Sequence, residues 1–268
     1  KKRLLSALLA LCMVLTMVPA AFAVEDTMND MGTDTITTAD DNSITTADAL
    51  KAAIDSASPE EIVTLGGDIE IGETLIIDNK TITLNLNSHT IKPSDNVEIW
   101  KNTEEKKQWS LISIRGSSNV TIIGGGTLQA KKDDSYAIDV FDEDSKCTIE
   151  NGTFVGNVHA VYVLKGSLVV NGGTFSVQQK YNDTFPYEYV LNCYDAHYKN
   201  GTASIIVNGG SFAGFNPRDC RAEGAGTNFC ALGRKVTKST DNDVTIYTVE
   251  KLNDGQMVVN PVPSEDGS

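Results

Sequence analysis

Histidine, tryptophan and cysteine are scarce in this chain of 268 residues, which holds three His, two Trp and five Cys. His89, His159 and His197 stand far apart, with no HxxxH or HxH spacing. A histidine-built metal centre is therefore not indicated, and a surface or corner role is expected of each. Basic residues are also short, 22 Lys and Arg against 36 Asp and Glu. That field repels polyanions and anionic membrane surfaces, which argues against nucleic acid as a partner. The one glycine triplet, Gly124-Gly125-Gly126, lacks the following Lys and helix of a phosphate loop.

The first residues read as an export signal rather than as fold. Lys1, Lys2 and Arg3 form a basic start, Leu4 to Val18 an apolar run of 15 residues, and Ala21-Phe22-Ala23 a small-x-small cleavage motif. The run is short of the roughly 20 residues a spanning helix needs. Cleavage is expected between Ala23 and Val24, with no membrane insertion afterwards. Leu11 before Cys12 argues against a lipid-modified cysteine. The chain begins without Met, as a fragment of a longer protein would. Without its first three residues the balance is 19 basic to 36 acidic, and such acidity keeps an exported protein in solution. Four domains of the sequence follow: a signal peptide over 1–23, a flexible acidic leader over 24–43, a folded domain over 44–251 and a disordered tail over 252–268.

A helix opens the folded part. Leu50, Ala53, Ile54 and Ala57 fall at i, i+3, i+4 and i+7, Thr45 with Asp48 fits a capping box, and Pro59 ends it. From Ile62 onward the chain is a series of short apolar runs separated by Gly, Asn and Asp, pieces that suit the short sides of a solenoid. Four segments lie on one another: Thr121–Leu128, Cys147–Phe154, Leu168–Phe175 and Ile205–Phe212. In register they give one column of Ile123, Ile149, Val170 and Val207 and a second of Thr121, Cys147, Leu168 and Ile205. A third holds Leu128, Phe154, Phe175 and Phe212, each preceded by a hydroxyl residue. Before these come Ile112-Ser113-Ile114, Ile138-Asp139-Val140, Val161-Tyr162-Val163 and Leu191-Asn192-Cys193, aligned in the same order. Stacking like on like is what a parallel β-helix requires, since each strand lies directly on its equivalent about 4.8 Å away. The expected fold is an all-β, single-stranded right-handed parallel β-helix, with an N-terminal capping helix and a C-terminal hairpin within residues 233–250.

The TADALKAAID helix, the VTLGGDIEI and TLNLNSHTI strands, the repeated NGGTF corners and the Tyr-Thr-Val ending resemble pectate-lyase-like β-helix modules. The resemblance covers roughly residues 44–251 and points to the adhesin-like branch of secreted and surface proteins of bacteria. It implies a secreted or wall-associated protein, and gives no chemistry by itself. The polygalacturonase motifs Asn-Thr-Asp, Gly-Asp-Asp, Gly-His-Gly and Arg-Ile-Lys are absent. A lyase needs acidic Ca²⁺ ligands with an Arg or Lys base beside them. Here Asp139, Asp142, Glu143 and Asp144 lie several coils before Arg218 and Arg221. No catalytic residue, metal ligand or cofactor is assigned.

What remains is an aromatic insert. Tyr181, Phe185, Tyr187, Tyr189, Tyr194 and Tyr198 crowd residues 178–199 and form the candidate ligand surface, for an extracellular glycan or a host or cell-surface protein. Packing of those rings against the coil wall is the competing account. Cys147 and Cys193 sit in core columns, whereas Cys220 and Cys230 bracket a Gly-rich loop and are the candidate disulfide pair. The function expected is that of a non-enzymatic exported interaction module. A polysaccharide lyase or hydrolase with an atypical site, or a structural spacer in a larger surface protein, are the alternatives.

Overall fold

The computed structural model describes residues 44–94, 108–179 and 189–253. It opens with α1 (Ala47–Ser56), which buries Leu50 and Ile54. The N-cap is Thr46, whose hydroxyl oxygen accepts from Ala49 N–H at 3.2 Å, one residue later than the spacing of Thr45 and Asp48 predicts.

Strands then follow in triplets. The first is β1 (Glu61–Thr64), β2 (Ile69–Ile71) and β3 (Leu75–Asp78). The second is β4 (Thr81–Asn85), β5 (Thr90–Pro93) and β6 (Ser110–Arg115). The third is β7 (Asn119–Ile123), β8 (Thr127–Gln129) and β9 (Tyr136–Val140). The fourth is β10 (Lys146–Ile149), β11 (Thr153–Gly156) and β12 (His159–Val163). The fifth is β13 (Gly166–Val170), β14 (Thr174–Val177) and β15 (Leu191–Cys193). A short helix, α2 (Asp195–Asn200), precedes β16 (Ala203–Val207) and β17 (Gly210–Ala213), and the hairpin β18 (Arg234–Asp241) and β19 (Val244–Lys251) closes the series.

Each member of a triplet joins a different sheet. The first sheet runs β1-β4-β7-β10-β13-β16, the second β2-β5-β8-β11-β14-β17 and the third β3-β6-β9-β12-β15. All pairings within these runs are parallel. The architecture is all-β, with long parallel sheets and no closed barrel, and is consistent with a solenoid. Inward residues of all three sheets, with Leu50 and Ile54, form one apolar cluster.

The phenylalanine column holds. Phe154 pairs with Leu128 and Phe175, and Phe175 with Phe212. Their rings stack at 5.0 and 4.9 Å, tilted by only 12° and 11°. In the first sheet the register corrects the sequence alignment at one strand. Cys147 pairs with Val120 and Ile149 with Ile122, so Thr121 and Ile123 face outward instead of joining the core columns. The cause lies between β7 and β8, where four residues separate Ile122 from Thr127, against three between their register partners Ile149 and Thr153 and three between Val170 and Thr174. Gly124 and Gly125 absorb the addition, both at positive φ, 96° and 72°. A one-residue slip turns every side chain over.

The terminal hairpin turns at Asn242 and Asp243, both at positive φ as a two-residue hairpin turn demands. β19 pairs antiparallel with β17, extending the second sheet.

Candidate functional site

The outer face of the third sheet carries polar residues where the core side is wholly apolar. In four of its five strands a polar central residue points away from the core: Ser113 of β6, Asp139 of β9, Tyr162 of β12 and Asn192 of β15, in direct register. Their flanking residues, from Ile112 and Ile114 to Leu191 and Cys193, are buried in the core. One turn earlier the alternation breaks. Leu111 with Ile112, Ala137 with Ile138, Ala160 with Val161 and Val190 with Leu191 are consecutive buried pairs. Two inward residues in succession mark an inward kink, so the columns on either side of it lean together. The first of those columns is Ser110, Tyr136 and His159, again in register, with Tyr189 beyond.

The convergence is visible in the rings. Tyr136 and Tyr162 stack at 5.0 Å, His159 and Tyr162 at 5.4 Å, and Tyr136 lies 5.1 Å from His159. Tyr189 meets His159 edge-on at 6.4 Å. His159 is buried rather than at a surface corner, which corrects the sequence expectation for it. Its Nδ1 lies 2.6 Å from the Tyr189 carbonyl, an acceptor only, so Nδ1 carries the proton and Nε2 the lone pair. Asn192 Nδ2–H donates to that Nε2 at 3.4 Å, which turns the amide oxygen the other way. Burial lowers the His159 pKa to about 4, opposed by the bond to Tyr189, and the ring is neutral above that pH.

Asp139 forms the floor. It is 3% exposed, and its Oδ1 finds no hydrogen-bond donor of good geometry among the described residues. Burial pushes its pKa up to about 6; the Ser113 hydroxyl, the Arg115 guanidinium and the Ser110 hydroxyl work against that shift, and Asp142 with it. Arg115 itself is committed, its Nε donating to Ser113 Oγ at 2.8 Å and its guanidinium lying 4.6 Å over the Phe141 ring. At the far end Glu223, from the loop after β17, accepts the Cys193 N–H through Oε1 at 2.7 Å while Oε2 is unpaired. Burial raises the Glu223 pKa to about 7, with the Cys193 bond acting against it. Asn192 Oδ1 is likewise buried and unpaired. Among the described residues of this region, Ser110 Oγ, Asp139 Oδ1, Asn192 Oδ1 and Glu223 Oε2 are buried without a partner of good geometry, and each unmatched buried group costs about 1–3 kcal/mol.

The buried carboxyl makes stability depend on pH with a definite sign. A folded-state pKa above the unfolded value means that Asp139 takes up a proton more readily when folded. Its contribution is therefore complete at low pH and is lost as pH rises from about 4 through about 6. Asp139→Asn should leave stability near pH 4 little changed and raise it near pH 7 by up to about 3 kcal/mol. Denaturant titrations of both proteins at the two pH values measure the difference; an equal effect at both would refute the assignment. His159 slopes the other way, its contribution being lost as pH falls from about 6.5 through about 4, and it is common to both proteins.

Of the aromatic residues predicted as a ligand surface, Tyr189 and Tyr194 reach this neighbourhood. Tyr194 is 46% exposed, caps α2 and lies 5.1 Å from His197. Tyr198 packs edge-on against Phe229 at 6.1 Å, which is a packing role. Tyr181, Phe185 and Tyr187 lie outside the described residues. Tyr136, His159, Tyr162, Asn192 and Glu223 were not singled out by sequence as binding residues, and Asp139 was weighed only within an acidic cluster as a Ca²⁺ ligand. The signal that marks four of the strands is a polar centre in an apolar triplet: I-S-I, I-D-V, V-Y-V and L-N-C.

Cys147, Cys193, Cys220 and Cys230 are free thiols. The backbone of Cys220 forms an isolated bridge with Thr227 and that of Cys230 one with Val207, and the two cysteines are not bonded to one another in this structure. Among the described residues no group of three or more His, Cys, Asp or Glu could hold a metal ion, and no helix is long and apolar enough to cross a membrane. Comparison with protein-family models, with curated proteins and with solved structures finds no match to this chain.

Proposed function

We propose that this chain is an exported right-handed parallel β-helix of the pectate-lyase-like kind, working at or beyond the bacterial cell surface as a non-enzymatic module that binds glycans on the outer face of its third sheet. The rotation of the strands through three sheets and the stacked columns support the fold reading. The binding reading rests on one observation, the ring platform of Tyr136, His159 and Tyr162 set beside unpaired polar atoms. Sugar rings present apolar C–H faces to aromatic rings and hydroxyls to polar neighbours, and this face offers both. On export, Cys220 and Cys230 would meet an oxidising compartment, in which pairing would tie down the last loop.

Glycan-array binding followed by calorimetry on the retained oligosaccharide tests it. Tyr162→Ala is expected to weaken binding at least about tenfold, close to 1.4 kcal/mol, while Tyr162→Phe keeps most of it. Unchanged affinity in Tyr162→Ala, with the fold intact by circular dichroism, would remove the platform from the account.

One observation favours a second reading, an enzyme acting on polysaccharide. Asp139 and Glu223 are two carboxyls whose proton affinities burial raises toward neutrality, as acid–base groups require. Release of reducing ends or of an unsaturated, ultraviolet-absorbing product from polysaccharide would establish it, with loss of that release in Glu223→Gln.

A further inference from the structure

We infer that the outer face of the first sheet is a contact surface on which two copies of this chain meet about a two-fold axis, Lys146 of each facing Glu150 of the other. Glycan binding plays no part in it, since that reading uses a different sheet. One outward column of the first sheet is in direct register from end to end. It runs through Ile62 of β1, Thr83 of β4, Thr121 of β7, Thr148 of β10, Val169 of β13 and Ile206 of β16. All six are β-branched and none is charged, in a chain with 36 acidic and 22 basic residues. Both ends of the column are bare, Ile62 being 58% exposed and Ile206 45%. Covering that apolar surface is favourable, and β-branched side chains, stiff at χ1, lose little freedom when they are covered.

The charges beside the column name its occupant. On one flank Lys146 is in register with Asn119 and Ser167, which are uncharged. On the other, Asn208 donates to Asn171 at 2.9 Å and Asn171 to Glu150 Oε1 at 2.8 Å. Lys146 and Glu150 stand two residues either side of Thr148 and are both exposed. Lys146 has no ion-pair partner among the described residues. A half-turn about an axis along the column exchanges the two flanks and keeps each strand at its own level. Lys146 of one copy then lies opposite Glu150 of the second, and the reverse, as a self-complementary contact requires. Ile62 meets Ile62, Ile206 meets Ile206, and threonines meet threonines between them. Facing sheets pack about 10 Å apart, which both long side chains can span. A partner of one charge sign would suit one flank and oppose the other; a second copy suits both. Five spacings of about 4.8 Å and five residues of about 3.3 Å make a face of about 24 by about 16 Å. That is below the roughly 800 Å² per partner of a stable complex, so the dimer is a weak, reversible one.

Sedimentation of the purified protein from about 1 μM to about 1 mM, in about 0.15 M salt, is the test. The expected result is a monomer–dimer equilibrium whose midpoint lies above about 10 μM. Lys146→Glu sets acid against acid in both symmetric pairs and should weaken the dimer at least about tenfold. Adding Glu150→Lys to it exchanges the two charges and should restore the dissociation constant to within about threefold, a recovery that no other contact would show. Thr148→Arg, on the axis itself, should abolish dimerisation, and Tyr162→Ala, on the third sheet, should leave it unchanged. Circular dichroism of each variant confirms that the fold is kept. A protein that stays monomeric over the whole range would overturn the inference. So would a dimer that survives Lys146→Glu or Thr148→Arg, or a charge exchange that restores nothing.

Discussion

Phe175→Ala is expected to cost about 3–5 kcal/mol of folding stability. Phe175 is the middle ring of the stacked column, with Phe154 at 5.0 Å on one side and Phe212 at 4.9 Å on the other. All three side chains are fully buried. Removing the central ring deletes its own burial and both ring contacts, and leaves a cavity that the parallel backbones above and below cannot collapse to fill, because their hydrogen bonds fix the spacing. Phe175→Leu should lose only a fraction of that, since Leu128 already occupies the equivalent place two rounds earlier. Urea unfolding of the three proteins gives the comparison. Near-equal losses for Ala and Leu would mean that the column is not the contiguous ladder described.

The second large effect is expected at Gly156, the last residue of β11. A Cβ there would lie 1.7 Å from the His159 carbonyl oxygen and 2.1 Å from its carbon, both backbone atoms that cannot swing aside. Gly156→Ala must therefore push β11 and β12 apart at the point where His159 enters the ring stack. Overpacking typically costs about 1–3 kcal/mol, and a backbone clash of this depth belongs at or beyond the upper end. Because His159 holds Asn192 and touches both Tyr136 and Tyr162, the variant should also weaken glycan binding under conditions where it remains folded. Its melting temperature and affinity are to be measured together, and a drop in neither would show that the corner is freer than the contacts imply.

These two positions also show what the sequence discloses and what it hides. Phe154, Phe175 and Phe212 announce themselves because a ladder repeats the same letter at each round, and the four apolar triplets of the third sheet align by the same logic. The slip at Thr121 and Ile123 arose because alignment by the glycine corner treats all corners as equally long, and the extra residue there is itself glycine. The cap at Thr46 was missed for a similar reason, as two adjacent threonines compete for one role and only backbone geometry decides between them. The polar face of the third sheet was hidden more deeply. Tyr136, Asp139, Tyr162, Asn192 and Glu223 come from segments spread over almost ninety positions, and no local window contains more than two of them. Tyrosine density drew attention to residues 178–199, although among the described tyrosines there it is Tyr189, through its carbonyl and ring, that meets His159 of the platform. The polar centre of each triplet was written in the alignment all along; its meaning depends on the neighbouring column leaning in, a consequence of the kink rather than of any residue pattern.

The closing hairpin has a consequence for the protein's behaviour in company. Parallel strands stacked in register offer, at their last member, the same row of amides and carbonyls that the next round would have used, and a second molecule could dock there as readily as another round. In the second sheet that row is already taken. β19 runs against β17 in the opposite direction, and the outermost strand, β18, carries Arg234, Lys235 and Lys238. Reversed polarity ends the parallel series, and cations on the rim discourage end-to-end growth into fibres. The hairpin thereby replaces the parallel edge of β17 with an antiparallel one.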